Sequence, residues 1–77
     1  MNITYDPDAD AAYINIADNI AEGRVCRTVE VSFSPNDEHS YVNVDFNQDG
    51  NVLGIEILDA SSHLDPQVIA SAQLIRN

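Results

Sequence analysis

The amino-acid sequence predicts an α+β fold: a five-stranded antiparallel meander sheet with one C-terminal helix packed on one face. Three observations lead to this fold class. Apolar and polar residues alternate along five short segments, residues that favour turns separate those segments, and after residue 65 the apolar period becomes that of a helix. The 77 residues are enough for one small domain, so a single domain over residues 1–77 is expected.

The five predicted strands are the segments 3–5, 11–16, 24–33, 40–46 and 51–58. In each segment apolar side chains recur at alternating positions, which is typical of antiparallel strands with one buried face. The residues predicted to share that buried face are Ile3, Tyr5, Ala12, Ile14, Ile16, Val25, Val29, Val31, Phe33, Val42, Val44, Phe46, Leu53, Ile55 and Ile57.

The segments between the strands contain turn-forming residues. "DPDAD" at 6–10 contains Pro7 between aspartates, and "NQDG" at 47–50 ends in Asp-Gly, a strong hairpin signal between two alternating segments. The segments 18–23 and 34–39 are two further polar loops. Because all four connections are short, the simplest topology is a meander in which each strand pairs with the next.

The predicted helix begins at Pro66, with Asp65 as its N-cap and Arg76 near its C-terminal end. Its apolar stripe is predicted to lie on the sheet and consists of Val68, Ile69, Ala72 and Ile75. On a helical wheel Leu74 lies far from the centre of that stripe and is predicted to face outward.

Composition limits the classes of function. The chain contains thirteen acidic residues, three arginines and no lysine, so the formal net charge is −10. Such a chain repels nucleic-acid phosphates, and direct nucleic-acid binding by this chain alone is not expected. The single cysteine, and the lack of a signal peptide or a long apolar run, predict a cytoplasmic protein with no membrane segment.

Residues 45–56 match the EF-hand calcium-loop template, with Asp45, Asn47, Asp49, Gly50 and Glu56 at its specified positions. An EF-hand loop lies between two helices, whereas the segments on both sides of this one alternate as strands do. A hairpin is therefore predicted here, with its turn at 47–50. The Asp-x-Asp-x-Asp spacing in residues 6–10 is likewise interpreted as a turn.

The remaining chemically active residues indicate no reaction. Cys26 lies within a predicted strand with no adjacent base, and His39 and His63 show no metal-ligand spacing. No catalytic, metal-binding or cofactor-binding residue is therefore predicted, and the chain is not expected to be an enzyme.

The second face of the predicted sheet is neither fully polar nor fully apolar. It carries Tyr13, Cys26, Thr28, Tyr41, Val52 and Gly54. Tyrosines at a half-exposed sheet need no partner, but they are also frequent in protein interfaces. A small domain gains from extra burial, so a homo-oligomer, most simply a dimer, is predicted, in contact through this face or through the side of the helix that carries Leu74.

The order of these segments resembles the domain of unknown function 2283 (DUF2283) family. In the first half Tyr5, Asp6, Asp10, Tyr13 and Ile14 match the family pattern. In the second half the matching residues are Asp45, Gly50, Gly54, Ile55, Glu56, Ile57, Leu58, Ala60 and Ser61. The chain differs from the pattern in its long "SPNDEHS" loop and in Asn47 and Gln48 at the turn.

The resemblance implies no catalytic residues. Some members of the family look like one half of toxin–antitoxin gene pairs, which implies that an acidic chain such as this one is the neutralising partner of a small basic protein. The alternative is a divalent-metal-binding or metal-dependent protein that uses the Asp/Glu-rich turns.

Overall fold

The computed structural model describes residues 1–17, 24–36 and 38–75. Within these residues the chain forms an α+β structure with six strands and two short helices. In chain order they are β1 (Asn2–Asp6), β2 (Ala11–Asn15), β3 (Arg27–Ser32), β4 (Tyr41–Phe46), β5 (Val52–Leu58), α1 (Ala60–His63), α2 (Pro66–Ser71) and β6 (Gln73–Leu74). The predicted loop at 18–23 and the predicted role of Arg76 lie outside the described residues.

The sheet has the strand order β3-β4-β5-β2-β1-β6, and every pairing except the parallel β1–β6 pairing is antiparallel. The prediction of a continuous meander is therefore wrong at one point, because β2 pairs with β5 and not with β3. This pairing places Ala12 opposite Ile57 and Ile14 opposite Ile55 at the centre of the sheet. The strand that carries Arg27 and Glu30 is left at the edge of the sheet.

The register confirms the predicted division of side chains between the two faces. Ile14 and Val44 both lie opposite Ile55, and Val29 lies opposite Val44, so these residues share one face, here called the apolar face. The opposite side, here called the polar face, carries Tyr13, Thr28, Asn43, Asp45 and Glu56. A β-bulge between Asp45 and Phe46 interrupts the β4–β5 ladder.

The core lies on the apolar face, over β2 and β5. Ala12, Ile57 and Ala60 are buried there, with Leu64 among the partly buried residues packed against them. The segment that contains α1 thus covers part of the apolar face. It does not cover β3, where Val31 remains 53% exposed, so the prediction that the helix covers Val31 is wrong. The prediction of burial is also wrong for Ile16, Val25, Val29 and Phe33, which are exposed.

The prediction of five strands and one helix is wrong in detail, because the C-terminal part of the chain forms α1, an α2 shorter than the predicted helix, and a sixth strand, β6. The Asp65 side chain accepts a hydrogen bond from the Gln67 amide at 2.8 Å and Pro66 is the first helical residue, which confirms the predicted start of the helix. The helix ends at Ser71, whose hydroxyl donates to the Gln67 carbonyl, a local bond that competes with helix propagation.

After α2 the chain joins the sheet. Gln73 and Leu74 pair with Thr4 and Tyr5, and the Ile75 amide donates to the Tyr5 carbonyl. Leu74 is therefore exposed as a residue of an edge strand and not as the outer side of a helix, and the prediction that Ile75 packs in a helical stripe is wrong. This pairing satisfies the backbone hydrogen-bonding groups at the edge of β1. If α2 continued through residues 73–75, those groups would have no strand beside them.

Candidate functional site

A hydrogen-bonded cluster of side chains crosses the polar face. The Tyr13 hydroxyl on β2 donates to Asp45 Oδ2 on β4 at 2.8 Å, and the Thr28 hydroxyl on β3 donates to Asp45 Oδ1 at 2.6 Å. Both oxygens of the Asp45 carboxylate are thereby engaged. On the neighbouring pair, the Asn43 amide donates to Glu56 Oε1 at 3.2 Å.

Gly54 is the residue that makes this cluster possible. It lies on β5 between Tyr13 and Asp45, and a Cβ at this position would approach Tyr13 Cζ to 2.6 Å. The tyrosine ring therefore crosses β5 directly over the glycine backbone. Burial, with the hydrogen bond to Asp45 as the next cause, raises the pKa of Tyr13 to about 12. The phenol stays protonated and a donor across the physiological pH range.

The sequence contained one signal for this contact. A glycine inside an alternating strand indicates a bulge or a close approach of another group. Residue spacing could not reveal that Tyr13 is that group, because the contact depends on the pairing of β2 with β5.

A second cluster joins the start of β2 to α1. Asp10 Oδ1 accepts from the Tyr5 hydroxyl at 2.7 Å and from the Ser61 amide at 3.0 Å, while Oδ2 accepts from the Ser61 hydroxyl. The hydrogen bond from the Ser61 side chain is the main cause that lowers the pKa of Asp10, and the bond to Asp10 is the main cause that raises the pKa of Tyr5. The Ala60 amide also donates to the Asp10 carbonyl at 2.9 Å. These bonds hold α1 against the sheet.

Asp59 completes this second cluster from the other side. Its side chain accepts from the buried Ser40 hydroxyl at 2.6 Å and from the Ser62 hydroxyl at 3.1 Å. Asp10 and Asp59 both have a positive φ, of 50° and 59°. Aspartate is among the few residues that adopt this left-handed conformation readily, and it does so here at the end of the β1–β2 turn and at the N-cap of α1.

The segment that matches the calcium-loop template is a hairpin turn between two strands, as predicted. Asn47 Oδ1 accepts from the amides of Asp49 and Asn51, and Gly50 has a φ of 84°. Glu56 lies well along β5, beside Asn43 and Tyr13. At 6–10, Asp6 Oδ1 accepts from the amides of Asp8 and Ala9, which closes the predicted turn there.

The other candidate residues do not assemble into a reactive group. Cys26 is exposed just before β3, and His63 stacks on Phe33 with ring centroids 3.9 Å apart. Across residues 1–17, 24–36 and 38–75, no three His, Cys, Asp or Glu side chains come together in a way that would hold a metal ion. Neither described helix has the length and apolar character needed to cross a membrane.

The most exposed apolar part of the described sheet is its β3 edge. All six residues of β3 are exposed, and Val29 and Val31 lie on its apolar face. Val25 and Phe33, just outside the strand, are exposed as well. Arg27 lies on the same face, with its guanidinium 4.7 Å from the centre of the Phe46 ring.

Comparison with known proteins identifies the family but no characterised relative. The family model "Protein of unknown function (DUF2283)" matches residues 2–61. No curated protein and no solved structure matches the chain. The matched segment contains all of β1 to β5, the whole first cluster and every residue of the second cluster except Ser62. Since it covers well over half of the chain, the protein belongs to the DUF2283 family.

Proposed function

We propose that this chain is a small acidic protein-interaction module, an antitoxin-like partner that binds and neutralises a small basic protein and catalyses no reaction. The proposal includes a homo-oligomer, most simply a dimer. The observation that carries it is the distribution of charge over the two faces of the sheet.

Every acidic residue of the described strands lies on the polar face. These residues are Asp6, Glu30, Asp45 and Glu56. The one cationic residue of those strands, Arg27, lies on the apolar face. The α1 segment packs on the apolar face, so it leaves the polar face open. An open sheet face with negative charge attracts a basic protein over a long range and suits a basic surface at contact.

The polar face also offers groups that recognise protein surfaces. Tyr13 and Tyr41 supply broad, semi-rigid contact area beside the carboxylates. The Asp45 carboxylate is held in place by Tyr13 and Thr28, so its position is set before a partner arrives. Preorganisation lowers the entropy lost when a complex forms.

The metal-binding alternative has no observation in its favour among the described residues. Asp6 Oδ1 and Asn47 Oδ1 accept backbone hydrogen bonds inside their own turns, and both side-chain oxygens of Asp10 accept from Tyr5 or Ser61. We therefore do not propose a metal-dependent function.

Affinity purification of the tagged chain from its native cells tests the proposed function, with co-purified proteins identified by mass spectrometry. The double variant Asp45→Asn/Glu56→Gln removes two charges from the polar face and keeps similar side-chain shapes. The control variant Asp8→Asn/Asp49→Asn removes two charges from exposed turns and gives the same net charge.

We expect a small basic protein to co-purify with the wild type and the control variant and to be depleted with the polar-face variant. Equal retention or equal loss in the two variants would show that the polar face is not the contact. Absence of any basic protein from the wild-type sample would contradict the proposed function itself.

A further inference from the structure

The outer edge of β3 is an open template for another strand. The Phe33 amide donates to the Ser40 carbonyl, and hydrogen bonds alternate along an antiparallel ladder. The backbone groups of Val29 and Val31 are therefore directed toward β4, while those of Thr28, Glu30 and Ser32 are directed away from it. Among the described strands none lies on this side of β3. Exposed strand edges of this kind pair readily with another chain.

The charge of this edge favours a second copy of the same chain over a basic partner. Residues 24–33 contain Arg24, Arg27 and one acid, Glu30, whereas twelve of the thirteen acids lie elsewhere. A basic protein would meet both arginines at this edge. Two copies of a chain with a net charge of −10 can meet here with few carboxylates brought together.

Symmetry restricts how two β3 strands can pair. A two-fold axis normal to the sheet places one residue of β3 directly opposite its own copy, and it keeps the apolar faces of both copies on the same side. An axis at Glu30 would place two carboxylates opposite each other, which is destabilising. An axis at Thr28 or Val31 would leave only about half of the strand paired.

An axis at Val29 avoids both problems. Val29 then lies opposite Val29 of the second copy, and Thr28 lies opposite its Glu30, so no two like charges are placed opposite each other on the polar side of the paired strands. Val31 lies opposite Arg27 of the second copy and contacts the aliphatic part of that side chain. Val29 and Val31, 39% and 53% exposed in the single chain, both gain apolar neighbours.

We infer that two copies of this chain pair antiparallel through β3, with Val29 on the two-fold axis, so that the two sheets join into one continuous sheet. The inference rests on the dimer of the proposed function and names its surface. That surface is neither the Tyr13/Tyr41 face nor the Leu74 side named from the sequence. It leaves the polar faces of both copies side by side and open to a basic partner.

Cysteine cross-linking tests the register directly, in a Cys26→Ser background that removes the native thiol. The variant Val29→Cys places two thiols at a non-hydrogen-bonded antiparallel pair, where the Cα atoms lie about 4.5 Å apart, within disulfide range. The matched control is Val31→Cys, an exposed valine on the same face of the same strand. In the proposed register its two copies lie four residues apart along the strand, about 13 Å at 3.3 Å per residue.

Each variant is oxidised with copper phenanthroline and resolved on a non-reducing gel, and the wild-type chain is sedimented to equilibrium at low and high salt. We expect a dimer by sedimentation, stronger at high salt because screening weakens the repulsion between the copies. The cross-linked fraction should be about tenfold higher for Val29→Cys than for Val31→Cys, because only the first pair meets disulfide geometry.

Equal cross-linking of the two variants, or a monomer by sedimentation at both salt concentrations, would overturn the inference. These outcomes are separate from those of the purification experiment. A monomer that still co-purifies a basic protein keeps the proposed basic partner and rejects the β3 dimer. A β3 dimer that co-purifies no basic protein supports the β3 dimer and rejects the proposed basic partner.

Discussion

The substitution Gly54→Ala tests the contact that organises the polar face. A Cβ at this position would lie 2.6 Å from Tyr13 Cζ and 2.7 Å from Tyr13 Cε2. Carbon atoms in contact are normally about 3.5–4.0 Å apart, so the ring has to move. A displaced ring loses the hydrogen bond from the Tyr13 hydroxyl to Asp45.

The expected loss of unfolding free energy follows from three contributions. Overpacking costs about 1–3 kcal/mol. A hydrogen bond to a carboxylate contributes about 1.5–3 kcal/mol, and the lower end applies because the pair is only partly buried. Replacement of glycine by alanine within a strand by itself stabilises the folded state by about 0.5–1 kcal/mol. We expect a net destabilisation of about 2 kcal/mol, which lowers Tm by about 10 °C in a domain of this size.

Thermal and urea denaturation followed by circular dichroism measure this loss, and the control is the same substitution in a Tyr13→Ala background. Without the ring, Gly54→Ala should be neutral or slightly stabilising, so the double-mutant cycle should show a coupling of about 2 kcal/mol or more. If Gly54→Ala destabilises both backgrounds equally, the ring contact is not the cause and the reasoning is refuted.

Four further predictions address the core, the two clusters and the turn. Ile57→Ala should lower the unfolding free energy by about 2–5 kcal/mol in urea denaturation, because Ile57 is buried. The control Val31→Ala, at the exposed edge, should lower the unfolding free energy far less at protein concentrations that disfavour self-association. The folded-state pKa of Tyr13 is raised from 10.0 to about 12. The contribution of Tyr13 to stability is therefore present below pH 10 and should fall between pH 10 and 12. Urea midpoints measured over that range should show this decline in the wild type and a smaller decline in Tyr13→Phe. The folded-state pKa of Asp10 is lowered from 3.8, so the contribution of Asp10 to stability is present above pH 3.8 and should be lost as pH falls through the lowered value. The variant Asp10→Asn should be less stable than the wild type at pH 7, and its unfolding free energy should depend less on pH in the acid range. Calcium at about 1 mM, a concentration that fills even weak protein calcium sites, should leave Tm unchanged. The reason is that Glu56 accepts a hydrogen bond from Asn43 at a distance from the turn. A rise in Tm that EDTA reverses would contradict this prediction.

Local sequence patterns predicted the local parts of this fold well. Alternation placed Ile14, Val44 and Ile55 on one face, and the register confirms it. Asp65 as an N-cap and the turn at Asn47 were also predicted, because both depend on neighbouring residues only.

The incorrect predictions involve residues that are distant in the chain. Alternation indicates which face a side chain occupies but not which strand lies beside it, so the β2–β5 pairing was missed. The length of α2 was overestimated because the open edge of β1, which pairs with Leu74, is invisible in the local pattern. For the same reason the glycine at position 54 signalled a close approach without identifying Tyr13 as the approaching group.

The β2–β5 pairing also has a consequence for the speed and order of folding. Ile14 and Ile55 are directly opposite in the sheet but 41 residues apart in the chain. Closing such a loop is entropically costly, whereas the β1–β2 and β3–β4–β5 hairpins need only short closures. We expect the hairpins to form first and their docking along β2–β5 to limit the folding rate. Until that docking the apolar sides of β2 and β5 are exposed, so we expect a chain that has not yet docked its hairpins to aggregate more readily than the native chain.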